Sequence, residues 1–275
     1  MEAIMTAFDT RLNRVGSAIV EPKISLRDIE LKFARPYGET IDVLDRVSLD
    51  VAPGQFVSIV GPSGCGKSTL LRILSGLIAP NGGIALIDGK PISANRDRIG
   101  FMFQRDTLLP WASVEENIRV GAELASAKRK SQSERIAELV AFLRLTGFEK
   151  HLPHELSGGM RQRVALGRLM AYEPQIYLLD EPFGALDSQT KSAMGRELLK
   201  VWSLHHRSVL FVTHDIDEAV TLSDRVIVLS ARPGTVKLDI PIDLERPRDP
   251  AVLRRTPHFQ KLIEQIWSAL DYVEA

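Results

Sequence analysis

Gly61-Pro62-Ser63-Gly64-Cys65-Gly66-Lys67-Ser68-Thr69 follows a short apolar run at 55–60 and precedes apolar residues at Leu70, Leu71, Ile73, Leu74 and Leu77. Strand, glycine-punctuated loop and helix, in that order, are the setting in which G-x-x-x-x-G-K-[ST] cradles phosphate. The glycines let the backbone wrap closely around the anion with N–H groups pointing inward. The helix that starts there adds its positive dipole end. In such a cradle Lys67 is expected to bridge the β- and γ-phosphates, and Ser68 to offer its hydroxyl to Mg²⁺. Cys65 lies inside the loop, where a thiol near a helix N-terminus can be acidified. The favoured reading of Cys65 is a small residue that fits the loop; the sharper alternative is a reactive thiol that bound nucleotide shields from alkylation.

Working outward, strand patterns occur at 24–33, 43–51 and 99–104, and again at 176–179, 209–213 and 226–229. Asn81-Gly82-Gly83 reads as a turn. Strands alternating with helices predict an α/β fold, a P-loop nucleotide-binding domain with a mainly parallel core sheet covered on both sides. Residues 113–171 change character. Ser131 and Glu134 are spaced as in a capping box, and Ile136, Leu139, Val140 and Leu143 then recur on one helical face. The expected organisation is an N-terminal extension at 1–22 and an ATPase core at 23–104 and 172–240. A helical subdomain at 105–171 interrupts that core, and a C-terminal extension occupies 241–275. In the extension, Thr256-Pro257 resembles a helix start. Phe259, Leu262, Ile263, Ile266, Trp267 and Leu270 follow as an apolar stripe predicted to pack on its own domain. The arginines between Arg232 and Arg255 read as solvated surface.

The apolar strand at 176–179 runs into Asp180-Glu181. An acid at that strand end is placed to reach the Mg²⁺ shell, and the next to polarise an attacking water. Upstream, Ser157-Gly158-Gly159 opens a helix. Bare glycine amides and a serine hydroxyl at a helix start make a second anion site. The loop at 61–69 already completes one cradle, so the second site implies a phosphate brought by a partner chain facing head to tail.

With Leu156-Ser157-Gly158-Gly159-Met160 read, the chain resembles the ATP-binding subunit of ABC transporters, from about residue 24 to 235. Phe183-Gly184-Ala185-Leu186-Asp187 looks like its D-loop, Val212-Thr213-His214-Asp215 like its switch-histidine segment, and Phe103-Gln104 like its Q-loop. The resemblance implies that Gln104 touches Mg²⁺ or the attacking water, that His214 contacts the γ-phosphate, and that Asp187 works across a dimer interface. It also implies an aromatic stacked on adenine, with Phe33 favoured and Tyr37 the other candidate. Met160 departs from the glutamine common after the double glycine and removes any polar contact from that position.

Leu108-Leu109-Pro110-Trp111 is apolar for a loop. It reads either as a segment tucked between subdomains or as part of a groove for a short helix of a transmembrane permease. Together with Ala231-Arg232-Pro233-Gly234 and Glu245-Arg246-Pro247-Arg248, it is similar to the nitrate/sulfonate/taurine importer branch. The resemblance implies ATP and Mg²⁺ as cofactors and a second ATP-binding subunit, expected to be a homodimer. It further implies a permease, a substrate-binding protein reached indirectly, and a place on the cytoplasmic face of the membrane.

Composition agrees with that frame. The chain has 275 residues, 35 Lys plus Arg against 35 Asp plus Glu, and one cysteine. Zero net charge argues against a domain that coats nucleic acid, although a soluble ABC-type ATPase acting on nucleic acid or ribosomes remains the other class to test. One cysteine excludes an intrachain disulfide. No run of about 18 apolar residues is present to span a bilayer, and the first 20 residues do not read as a secretory signal.

Overall fold

The apolar run ahead of Gly61 is a strand with all five residues buried, and the rest of the molecule is arranged around it. The structure, a computed structural model, describes residues 21–34, 38–125, 132–184, 186–205 and 207–271. In chain order the strands are β1 (Ile24–Ala34), β2 (Thr40–Val51), β3 (Phe56–Val60), β4 (Gly82–Ile87) and β5 (Lys90–Pro91). They continue with β6 (Ile99–Met102), β7 (Ile176–Asp180), β8 (Ser208–Val212), β9 (Arg225–Leu229) and β10 (Val236–Pro241). The α-helices are α1 (Lys67–Leu74), α2 (Val114–Leu124), α3 (Gln132–Phe142) and α4 (Gly158–Tyr172). They are followed by α5 (Ser188–His205), α6 (Ile216–Leu222), α7 (Pro250–Leu253) and α8 (Pro257–Asp271).

Six strands form one sheet in the order β10-β9-β3-β8-β7-β6. Every pairing from β9 to β6 is parallel, and only β10 runs antiparallel. These strands carry apolar side chains on both faces because both faces are covered. Alternation along β3 and β8 divides them. Phe56, Val209 and Phe211 join the core that holds α2, α3, α4 and α5, whereas Val57, Ile59, Leu210 and Val212 join the core with α1 and the first two strands. Full burial of a side chain such as Phe211 stabilises the fold by about 1.5–3 kcal/mol. A third core seats Phe259, Leu262 and Ile266 of α8 on α6 and β9, with Ile263 and Leu270 partly buried against it, whereas Trp267 of the predicted stripe is 52% exposed. The Thr256 hydroxyl accepts from Phe259 N–H at 3.3 Å, the cap expected there.

A second sheet, entirely antiparallel, has the order β2-β1-β4-β5 and was not legible as such. Gly82 and Gly83 do not make the predicted turn; they begin β4. Gly83 has φ +85, and a Cβ there would stand 2.3 Å from the carbonyl oxygen of Asp28, at an irregularity in β1. The glycine pair is therefore demanded by close backbone approach. Ser131 and Tyr37 lie outside the described residues.

The arginine-rich segment also departs from expectation. Arg248 is 6% exposed and donates to the carbonyls of Val220, Thr221, Ser223, Ile242 and Leu244. Arg246 pairs with Asp224 at 2.7 Å and lies 4.3 Å from the Trp202 ring centre. Both are structural ties rather than solvated surface.

Candidate functional site

Because β3, β6, β7 and β8 run parallel, their carboxyl ends share one edge of the sheet, where ligands of open α/β folds bind. Each strand end delivers at least one sequence-identified group to that edge. β3 runs into Gly61, and Gln104 lies two residues beyond β6. β7 ends at Asp180 with Glu181 next, and His214 follows β8 at the second residue.

The loop itself turns on Gly66, the residue before α1, with φ +104. A Cβ there would meet Leu44 at 2.6 Å, so glycine is required both for conformation and for space. Ser63 and Gly64 form the exposed tip, Pro62 is half-buried, and Cys65 is buried beneath it. The buried Lys67 ammonium donates to Gly61 O at 2.7 Å and Pro62 O at 2.9 Å, which holds the loop curled. Ser68 Oγ donates to Asp180 Oδ1 at 2.8 Å. Thr69 is half-buried in the first turn of α1. Burial raises the Asp180 carboxyl above its ordinary range, against the opposing hydrogen bond from Ser68. Burial also pushes the Cys65 thiol up, outweighing the nearby Lys67 charge. The enclosed thiol fits the favoured reading of Cys65 as a small residue packed into the loop, not the alternative of a thiol acidified by the helix start.

Glu181 sits at φ +47 with its N–H on Val212 O at 2.9 Å. Its Oε2 receives Gln104 Nε2 at 3.2 Å and lies 3.3 Å from His214 Nδ1. One carboxylate oxygen thus gathers the ends of three strands. Among the described residues no cluster of three His, Cys, Asp or Glu forms a protein-only metal cage. A hydroxyl and one buried carboxylate are hard oxygen donors, the set Mg²⁺ takes when phosphates complete its shell.

The second predicted anion site is separate from this edge. Ser157 is the N-cap of α4, and its hydroxyl accepts from Met160 N–H at 3.2 Å. Ser157 is exposed, and Gly158 and Gly159 are half-exposed. A Cβ on Gly159 would stand 2.8 Å from Leu186. No hydrogen bond or ion pair among the described residues joins 157–159 to the loop at 61–69. Asp187 caps α5 through the amides of Gln189 and Thr190 and the Thr190 hydroxyl, which hold its carboxylate below the usual range. Phe33 is exposed near the end of β1, opposite Ile41, on the strand pair whose Val43 and Leu44 border Gly66.

Two features escaped sequence reading. Arg161 pairs with Asp106 at 2.8 Å and Arg168 donates to Thr107 O at 3.1 Å, strapping the stretch after Gln104 to α4. Glu218 reaches the Thr213 hydroxyl beside His214. The spacing Asp215-x-x-Glu218 was the available signal, since it is a helix-start pattern. The Leu108–Trp111 stretch is partly packed. Leu108 and Leu109 are half-buried, whereas Trp111 is 75% exposed. Buried Asn117 fixes that loop by accepting Leu109 N–H at 2.9 Å and donating to Ala112 O at 2.9 Å. Beside it lies an open groove of about 320 Å³ lined by Phe101, Leu109, Val120, Leu124 and Leu169. No helix among the described residues is long and apolar enough to cross a membrane.

Residues 44–184 match the family described as ABC transporter. An uncharacterized ABC transporter ATP-binding protein of Methanocaldococcus jannaschii is 45% identical, over 82% of this chain and 85% of that one. An aliphatic sulfonates import ATP-binding protein of Bacillus cereus is 41% identical, over 90% of this chain and 96% of the relative. Among solved structures, a dimeric ATP-binding cassette in a post-hydrolysis state with ADP and Pi superposes with TM-score 0.72 at 31% identity, covering 81% of this chain and all of the other. A dimeric bacterial ABC transporter cassette gives 0.73 at 33%, with the same coverage.

Proposed function

The chain belongs to the ABC transporter family as an ATP-hydrolysing, ATP-binding subunit, and from that premise we propose that it powers import of nitrate, a sulfonate, taurine or a related small solute. The Bacillus cereus relative is an aliphatic sulfonates import ATP-binding protein. The observation that carries the catalytic reading is the meeting of Gln104 and His214 on the Glu181 carboxylate, one residue after Asp180.

In this reading the amides of 61–69 and Lys67 hold the β- and γ-phosphates, and Phe33 stacks on adenine. Ser68 and Asp180, with Gln104 at the edge, would hold Mg²⁺. Bound there, the ion supplies charge neutralisation at the phosphate oxygens. Glu181 orients and deprotonates the attacking water, and His214 contacts the γ-phosphate. The exposed Ser157–Gly159 start of α4 and Asp187 serve the nucleotide of a second, identical copy. The dimeric cassettes among the solved relatives support that arrangement. ATP drives closure only by binding the closed pair better than the open one.

The groove lined by Leu109, together with the exposed Trp111 of the same loop, receives a helix of a membrane permease, which keeps the subunit on the cytoplasmic face; a substrate-binding protein acts through that permease. The test is ATP hydrolysis by the full chain in proteoliposomes with its co-purifying membrane protein and binding protein. An alkanesulfonate, taurine or nitrate should stimulate turnover several-fold, and Glu181→Gln should abolish the turnover while leaving ATP bound in a trapped dimer. Stimulation by none of these solutes would overturn the substrate class. Near-normal turnover of Glu181→Gln would remove Glu181 from catalysis.

A further inference from the structure

His214 lies between two anchored neighbours. Thr213 follows the end of β8 and is 2% exposed, with its N–H on Ile59 O at 3.3 Å. Its hydroxyl accepts Asp215 N–H at 3.0 Å, so the hydroxyl proton is directed elsewhere, onto Glu218 Oε2. Glu218 N–H in turn donates to Asp215 Oδ1 at 3.1 Å. Three hydrogen bonds therefore close a ring through Thr213, Asp215 and Glu218. His214 is held between two members of that ring, Thr213 and Asp215, while its own side chain takes no part in it. Its imidazole is 59% exposed and lies over Glu181. Its aim depends on how firmly the turn around it is held.

The arrangement departs from an ordinary helix start. A glutamate three residues after an N-cap usually reaches back to the N-cap amide. Here the Thr213 hydroxyl occupies that amide, and Glu218 binds the hydroxyl instead. The bridge thereby extends to the strand end that also carries Val212, whose carbonyl holds the Glu181 amide. The surroundings of the carboxyl are mixed. Asp215 and Asp217 face it from its own helix, Lys191 and Arg196 from α5, Glu181 from the end of β7, and Arg248 and Arg254 from the C-terminal segment. Arg254 is paired with Asp217 at 2.8 Å. Burial pushes the Glu218 carboxyl up to about 7.

We propose that Glu218 is a positioning residue for ATP hydrolysis, fixing through the Thr213 hydroxyl the turn that presents His214 to Glu181. This rests on the reading of His214 as a γ-phosphate contact. Nucleotide is held mainly by the loop at 61–69 and the Phe33 ring, with His214 one contact among many, so loosening the turn lowers kcat and largely spares KM. A misplacement of about 1 Å costs on the order of 100-fold in rate.

The experiment measures ATP hydrolysis by the full-length chain assembled with its membrane partner. Glu218→Ala is expected to lower kcat by about 10- to 100-fold with KM for ATP within about threefold. Glu218→Gln keeps a carbonyl oxygen that accepts the Thr213 proton, and should restore kcat to within about threefold of wild type. Thr213→Val, nearly isosteric, should reproduce the loss, and the double variant Glu218→Ala/Thr213→Val should be no slower than either single one. His214→Ala is run in parallel. If it retains turnover, the His214 reading fails and the proposal with it. If it loses turnover while folded Thr213→Val or Glu218→Ala keeps wild-type kcat, this proposal alone is overturned. Equal losses in Glu218→Ala and Glu218→Gln, accompanied by lowered melting temperatures, would assign a purely structural role and overturn it too.

Discussion

Replacing Arg248 by Met removes a guanidinium that sequence alone would leave in solvent. Its two shortest hydrogen bonds go to Ser223 O at 2.6 Å and Leu244 O at 2.8 Å. Bonds from a charged donor contribute about 1.5–3 kcal/mol each. The carbonyls of Val220, Thr221 and Ser223 close α6, where a helix lacks its own donors and a cation is favoured. Against this stands the cost of burying the charge. Burial pushes the Arg248 pKa from 12.5 down to about 10, equivalent to about 3 kcal/mol. Methionine fills much of the stem's volume and carries no charge, so the two effects partly cancel. The net destabilisation is about 1–3 kcal/mol, or a melting-temperature drop of roughly 2–10 °C for a chain of this size. Scanning calorimetry of the purified chain, with exposed Arg255→Met as control, measures it. The control should lie within about 0.5 kcal/mol of wild type. Arg248→Met behaving like the control would refute the buried-clamp argument.

Three further outcomes follow from the same structure. Trp111→Asp should leave ATP binding by the isolated subunit unchanged while abolishing solute-coupled turnover in the assembled transporter; intact assembly and transport would sink the groove reading. Cys65 should react with N-ethylmaleimide at least about 100-fold more slowly in the folded chain at pH 7.5 than after denaturation, because little of a buried thiol is thiolate; a rate like that of a free thiol would contradict its enclosure. Glu218 has a folded pKa of about 7, above its ordinary 4.5. The folded state therefore binds the extra proton, and stability is lost as pH rises from about 4.5 through 7. Glu218→Gln should gain nothing over wild type at pH 4.5 and melt higher at pH 8, by on the order of 3 kcal/mol; a gap independent of pH would show the carboxyl to be well solvated.

Much of the nucleotide edge could be read from the linear chain. The loop at 61–69, Asp180-Glu181 and His214 each lie at the end of a short apolar strand, and local pattern reveals both strand and end. Parallel pairing then brings all the ends to one edge, whatever the order of the strands. The glycines at 82–83 were misread because a turn and a close backbone approach demand the same residue. Arg248 was misread because hydropathy sees its charge and not the five carbonyls waiting for it. The choice between Phe33 and Tyr37 for the adenine face was not legible in sequence, because both aromatics lie within a few residues of one strand end. Phe33 stands exposed at a strand end, and Tyr37 lies outside the described residues.

Sequence alone determined the glycine-rich strand–loop–helix at 56–74, the acids after the buried strand and the apolar faces, because these depend on residue type and spacing over a few positions. Tertiary structure alone decided that Gln104 and His214 meet on Glu181, that Glu218 reaches the Thr213 hydroxyl, and that a separate antiparallel sheet flanks the core. Those contacts join strand ends and backbones whose neighbours are chosen by sheet order and register. Long-range pairing sets both, and no local period along the chain encodes it.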